Sequence, residues 1–115
     1  MGYNLKTLTK DLAEKGLAVD NLVAFGQNAI GAVMALTSPM YAISMVNNKI
    51  IITPFTNKSI DFDNRTEIDV KDILEAKVSG LLTGTLKIKT RNGVMKYPIV
   101  QGKAAVKQIL VKLGL

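Results

Sequence analysis

Residues 74–99 read LEAKVSGLLTGTLKIKTRNGVMKYPI. At their centre TLKIKT and VMKYPI, two alternating runs, flank Arg91-Asn92-Gly93, and Asn-Gly is the dipeptide that best tolerates the positive φ of a type I′ hairpin turn. The spacing predicts a hairpin turning at Asn92-Gly93, with Arg91 opposite Val94, Thr90 opposite Met95, Lys89 opposite Lys96, Ile88 opposite Tyr97 and Leu86 opposite Ile99. Successive strand side chains point to opposite faces. Leu86, Ile88, Thr90, Met95, Tyr97 and Ile99 therefore share one face, expected to be core. Lys87, Lys89, Arg91, Val94 and Lys96 share the other, expected to be wet and basic. Upstream, LEAKVSG reads as a strand that meets the hairpin across Gly80-Leu81-Leu82-Thr83-Gly84, a connection without the Lys and Ser/Thr of a phosphate loop.

Outward from this hairpin, MYAISMV, Asn47-Asn48 and KIIITPF form a second one, with Asn-Asn at the turn. Ile50, Ile51 and Ile52 are consecutive and β-branched, so that strand is expected to make apolar contacts on both faces. Lys58 to Phe62 is expected to be a short strand, Asp63-Asn64-Arg65 a polar turn, Thr66 to Ile68 a strand, and Asp69 to Ile73 a local turn feeding Leu74 to Ser79. LVAFGQNAI reads as a first strand weakened by Gly26, while AVMAL, within Gly31 to Pro39, suits a helix and a buried strand equally. Residues 4–15 read as a short helix capped by Asn4, striped by Leu5, Leu8 and Leu12 and stopped at Gly16. At the other end Gly102 precedes KAAVKQILVKLGL, a helix with Val106, Ile109, Leu110 and Leu113 at core spacing.

One domain is expected from 115 residues, and a chain of this size buries roughly two thirds of its unfolded surface. With no cysteine and no histidine, disulfides, thiolate and imidazole metal sites, Ser-His-Asp triads and cysteine nucleophiles are excluded. The start shows no apolar signal core and no myristoylation pattern. Residues 21–48 carry no charge, but polar residues and Pro39 break them into pieces well short of the ~20 apolar residues of a membrane helix. Charge is segregated. All nine carboxylates lie at or before Glu75, whereas residues 76–115 hold eight lysines and arginines and no acid. Such asymmetry suits an anionic partner: an acidic protein surface, lipid headgroups or nucleic acid.

The element order resembles the pleckstrin-homology superfold, in particular its small bacterial PH-like and GRAM-like domains. The stretches that carry the likeness are YAISMVNNKIIITPF, IDVKDILEAKVSG and LKIKTRNGVMKYPI before a terminal amphipathic helix. The resemblance covers about residues 20–115 and leaves residues 1–19, the first helix and its connector, as an addition. It implies an α+β fold, a barrel-like sandwich of about seven antiparallel strands closed by the C-terminal helix. It implies binding rather than catalysis: lipid headgroups, peptides or sister subunits. The chain departs from inositide-holding members, which place Lys and Arg on the first two strands, because no basic residue lies between Lys15 and Lys49.

Lys87, Lys89, Arg91 and Lys96 are the candidate contact for an anionic ligand, and lysines on an exposed strand also discourage edge-to-edge aggregation. Leu5, Leu8 and Leu12 on the first helix, and Leu81 and Leu82 at the glycine loop, are candidate interface residues. Asp61, Asp63, Glu67, Asp69 and Asp72 fail the calcium-loop template, in which the sixth position is Gly and the twelfth typically Glu, and read as a solvated turn. No catalytic constellation, cofactor site or metal site is recognisable. The expectation is a cytoplasmic, non-catalytic binding or assembly module, associating with itself as a homo-oligomer or with another protein. Peripheral attachment to acidic membrane stands second. Nucleic acid stands third, because Tyr97 is the one aromatic residue in the basic part and the register turns it inward.

Overall fold

The computed structural model describes residues 4–27, 40–56, 58–80 and 84–115. Two antiparallel sheets form in chain order: β1 (Ala24–Gln27), β2 (Met40–Val46), β3 (Lys49–Phe55) and β4 (Thr66–Asp69) in the first, β5 (Ile73–Ser79), β6 (Thr85–Thr90) and β7 (Gly93–Pro98) in the second. Helix α1 (Leu5–Glu14) precedes them and α2 (Lys103–Lys112) follows. Among the described residues the architecture is α+β, with two sheets and a C-terminal helix but no closed barrel. Among the described residues no helix is long and apolar enough to cross a membrane.

Local chemistry explains the elements. Asn47 and Asn48 both take positive φ, 52° and 62°, so the β2–β3 turn has the twist that Asn-Asn was expected to supply. The Asn4 side chain accepts a hydrogen bond from the Thr7 amide at 2.9 Å, and the Thr7 hydroxyl accepts one from the Asn4 amide at 3.0 Å, a reciprocal cap on α1. Lys58 to Phe62 does not form the expected strand. Ile60 makes an isolated bridge to Phe55, and Phe62–Asn64 is a 3₁₀ turn held by Arg65, whose guanidinium donates to the Phe62 carbonyl at 2.9 Å. A second 3₁₀ turn, Val70–Asp72, links β4 to β5 where the local turn was expected.

Alternation along the strands builds two cores. Ala24, Tyr41, Ile43, Ile50, Ile52 and Ile68 from the first sheet meet Ile73, Leu86 and Ile88 from the second, and α2 adds Val106, Ile109, Leu110 and Leu113. The opposite face of the first sheet is also covered. There Leu8 and Leu12 of α1, with Leu17 and Ala18, pack on Val23, Ala42, Ile51 and Phe55. The run Ile50-Ile51-Ile52 is buried throughout because its residues alternate between these two cores. The first helix thus docks on its own domain.

One corner of the sandwich is sewn shut. The Phe25 amide donates to the Gln101 carbonyl at 2.9 Å, the Val100 amide donates to the Phe25 carbonyl at 2.8 Å, and the Tyr41 hydroxyl donates to the Pro98 carbonyl at 2.5 Å. Gly26 lies at this crossing: a Cβ there would stand 1.8 Å from the Pro98 carbonyl oxygen. The glycine that weakens β1 as a strand is what lets the end of β7 approach it.

Candidate functional site

The second sheet presents its outer face with no element packed on it among the described residues. Its register is Lys77 beside Lys87 beside Lys96, then Glu75 beside Lys89 beside Val94, with Ser79, Thr85 and Pro98 in the row beyond. Three lysines thus stand in line across three adjacent strands. A β-bulge between Ile73 and Glu75 adds Leu74 to the same region; Leu74 is 58% and Val94 49% exposed.

The hairpin turns one residue earlier than expected. Thr90 pairs with Gly93 and Lys87 with Lys96, so Arg91 and Asn92 form the turn and Gly93 takes the positive φ, 135°. The Thr90 hydroxyl accepts the Asn92 amide hydrogen at 3.2 Å, a side-chain turn that fixes this choice. Apart from Arg91, both face assignments survive, because moving the turn by one residue shifts each cross-strand partner by two. The like-charge pair becomes Lys87 with Lys96 rather than Lys89 with Lys96, and Arg91 sits at the hairpin tip, off the sheet face.

Within this face the ion pair is Glu75 with Lys77, at 3.8 Å between half-exposed side chains. Lys87, Lys89 and Lys96 have no acidic partner among the described residues. Tyr97 is turned inward, edge-on to Tyr41 with ring centroids 5.5 Å apart, so the face lacks the aromatic platform on which single-stranded nucleic acid stacks. Burial raises the pKa of both phenols, Tyr41 the more so because Tyr97 lies beside it.

The remaining sequence candidates separate. Leu8 and Leu12 are fully buried against their own sheet, and Leu5 packs at the margin of that core; Leu81 and Leu82 lie outside the described residues. Three of the carboxylates around β4, Asp61, Glu67 and Asp69, serve local roles. Asp61 accepts from the Asn64 amide group at 2.7 Å and Asp69 from the Lys71 backbone amide at 3.1 Å. Glu67 binds Lys49 at 3.1 Å and Arg65 at 2.8 Å, hydrogen bonds that hold its carboxyl below the usual range. Among the described residues no cluster of three or more acidic side chains is arranged to hold a metal ion.

Lys77 and Leu74 are the members that sequence reasoning left out; Val94 was expected on this face but not as a contact. Lys77 lies on the strand expected to meet the hairpin, but nothing local fixes the register that sets it beside Lys87. Comparison with known proteins finds no matching family model, no matching curated protein and no matching solved structure.

Proposed function

We propose that the chain is a non-catalytic, pleckstrin-homology-like binding module of the cytoplasm that associates with protein partners, docking through the outer face of β5–β7 on an acidic protein surface. The fold-family part of this reading is supported by the order of four strands, three strands and a C-terminal helix. The partner part is carried by the Lys77–Lys87–Lys96 row. Like charges directly opposite one another destabilise an isolated sheet, and an acidic partner turns that cost into a contact. Leu74 and Val94 add exposed apolar area at one end, as the middle of a protein interface does.

Glu75 favours a protein over a bilayer. It stands beside Lys89 in the face, where it would meet headgroup phosphates on a flat anionic surface, whereas a protein partner can set a cation against it. The membrane reading rests on the same cations, each of which gains about 1 kcal/mol near an acidic leaflet.

Immobilised poly-glutamate and phosphatidylglycerol vesicles, offered at low and high salt, test the assignment. The expected result is salt-sensitive retention on poly-glutamate that Lys87→Glu abolishes. Retention on vesicles alone would replace this reading with the membrane one, and retention on neither would overturn both.

A further inference from the structure

Between β4 with its following 3₁₀ turn and the β6–β7 hairpin tip lies a cleft of about 510 Å³, lined by none of the row lysines. One wall is Glu67 and Ile68 of β4 with Asp72 of the following 3₁₀ turn; the other is the β6–β7 hairpin tip with Arg91, Val94 and Met95. Glu67 is already neutralised by Lys49 and Arg65. Asp72 and Arg91 are not. They face the same cleft from opposite walls, both exposed, and make no ion pair with each other or with any other described residue.

The outward backbone beside the cleft has no strand partner among the described residues. β4 is the edge of its sheet, and the Val70 amide points inward to the Asn48 carbonyl at 2.9 Å. By strand alternation the Ile68 amide also points toward β3, so the Glu67 amide and carbonyl point out of the sheet. Below them the cleft is apolar, floored by Ile68, 6% exposed, and half-buried Met95.

An unpaired Asp72 on one wall and an unpaired Arg91 on the other make the cleft complementary to itself under a two-fold rotation. We infer that the cleft is a contact between two copies of this chain, in which the Arg91 tip of each copy enters the cleft of the other and meets Asp72 there. The contact is isologous: Arg91 lies against Asp72 of the second copy, and Asp72 against Arg91 of the second copy. Val94 is the exposed apolar side chain at the tip that such docking would cover. This rests on the protein-association reading and adds self-assembly at a surface that borders the lysine face at Val94 but uses none of its lysines, so Asp72 and Arg91 variants test the one and Lys87 variants the other.

Charge exchange tests it, read by light scattering and sedimentation over a concentration series. The full chain is expected to form a dimer of about twice its 12.4 kDa that weakens as salt rises. Asp72→Arg alone and Arg91→Asp alone should each weaken dimerisation roughly tenfold to a hundredfold, because two-fold symmetry repeats every reversed contact. Mixing the two single variants should restore a 1:1 dimer, and so should both substitutions in one chain. Circular dichroism and urea midpoints matching the parent show that the variants fold. A dimer that survives both single variants, or a mixture that stays monomeric, overturns the two-fold contact while leaving association open. A parent chain that is monomeric at every concentration removes self-assembly altogether, and the lysine face is then judged on poly-glutamate alone.

Discussion

Neutralising Lys87 should stabilise the isolated chain. Lys87 is the middle of the Lys77–Lys87–Lys96 row and has a like charge on each side. At the ~4.8 Å spacing of neighbouring strands, two unit charges repel by about 0.9 kcal/mol in a water-like dielectric. Lysine heads splay apart and ions screen them, which leaves about 0.3–0.5 kcal/mol per neighbour. Lys87→Gln removes both terms and keeps the first two methylenes of the stem, for a gain of roughly 0.6–1 kcal/mol. With a urea m-value of about 1.5 kcal/mol/M, the midpoint should rise by ~0.4–0.7 M at low salt. Urea is the denaturant to use, because guanidinium is itself a salt. In 1 M sodium chloride, where the screening length falls to about 3 Å, the gain should vanish. Lys89→Gln is the internal control: Lys89 has Glu75 on one side and Val94 on the other, so its loss should bring no gain. A Lys87→Gln midpoint that does not rise at low salt, or one that rises equally in high salt, would refute the claim that the row stores repulsion for a partner to relieve.

Other positions test the fold that carries the site. Leu12→Ala should cost about 3–5 kcal/mol, since Leu12 is fully buried between α1 and the first sheet; a loss that grows on dilution would instead mean that the helix docks on a neighbouring copy. Gly26→Ala should cost more than about 3 kcal/mol, because the new methyl meets the Pro98 carbonyl and the Tyr41 ring at the sewn corner, and an unchanged melting temperature would show that the corner yields. Thr53 is fully buried with no partner for its hydroxyl among the described residues, so Thr53→Val should raise stability by about 1 kcal/mol, whereas a loss would show that the hydroxyl is bonded. For pH, the Glu67 carboxyl is lowered by its bonds to Lys49 and Arg65. It therefore contributes stability above the unfolded value, near 4.5, that is lost as pH falls through the folded one. Urea midpoints from pH 6 to 3 should drop less steeply for Glu67→Gln than for the parent.

Much of the sheet architecture was legible because strand faces depend on parity alone. TLKIKT and VMKYPI alternate, so the inward set and the lysine set were readable even though the turn was placed one residue late. The exact partners were not readable. They depend on the Thr90 hydroxyl closing the turn and on Gly93 taking positive φ, and Asn-Gly alone favours a different closure. Consecutive Ile50, Ile51 and Ile52 announced a strand buried on both sides, and the Leu5, Leu8 and Leu12 stripe announced a helix in need of a surface. Neither said that each was the other's partner, because apolar burial is non-directional and carries no address.

The candidate site divides in the same way. By itself the sequence determined the segregation of charge, the absence of histidine and cysteine chemistry, the two faces of the β6–β7 hairpin and the burying face of the terminal helix. These are properties of composition and of periods 2 and 3.6, which a chain carries before it folds. Tertiary structure alone decided the register that sets Lys77 of β5 beside Lys87 and so completes a row of three lysines, and that Arg91 leaves that face for the hairpin tip. It also decided that Asp72, 19 residues earlier in the chain, stands across a cleft from Arg91. Such neighbours are set by the packing of one sheet against another, and no local pattern encodes the distance between residues on different sheets.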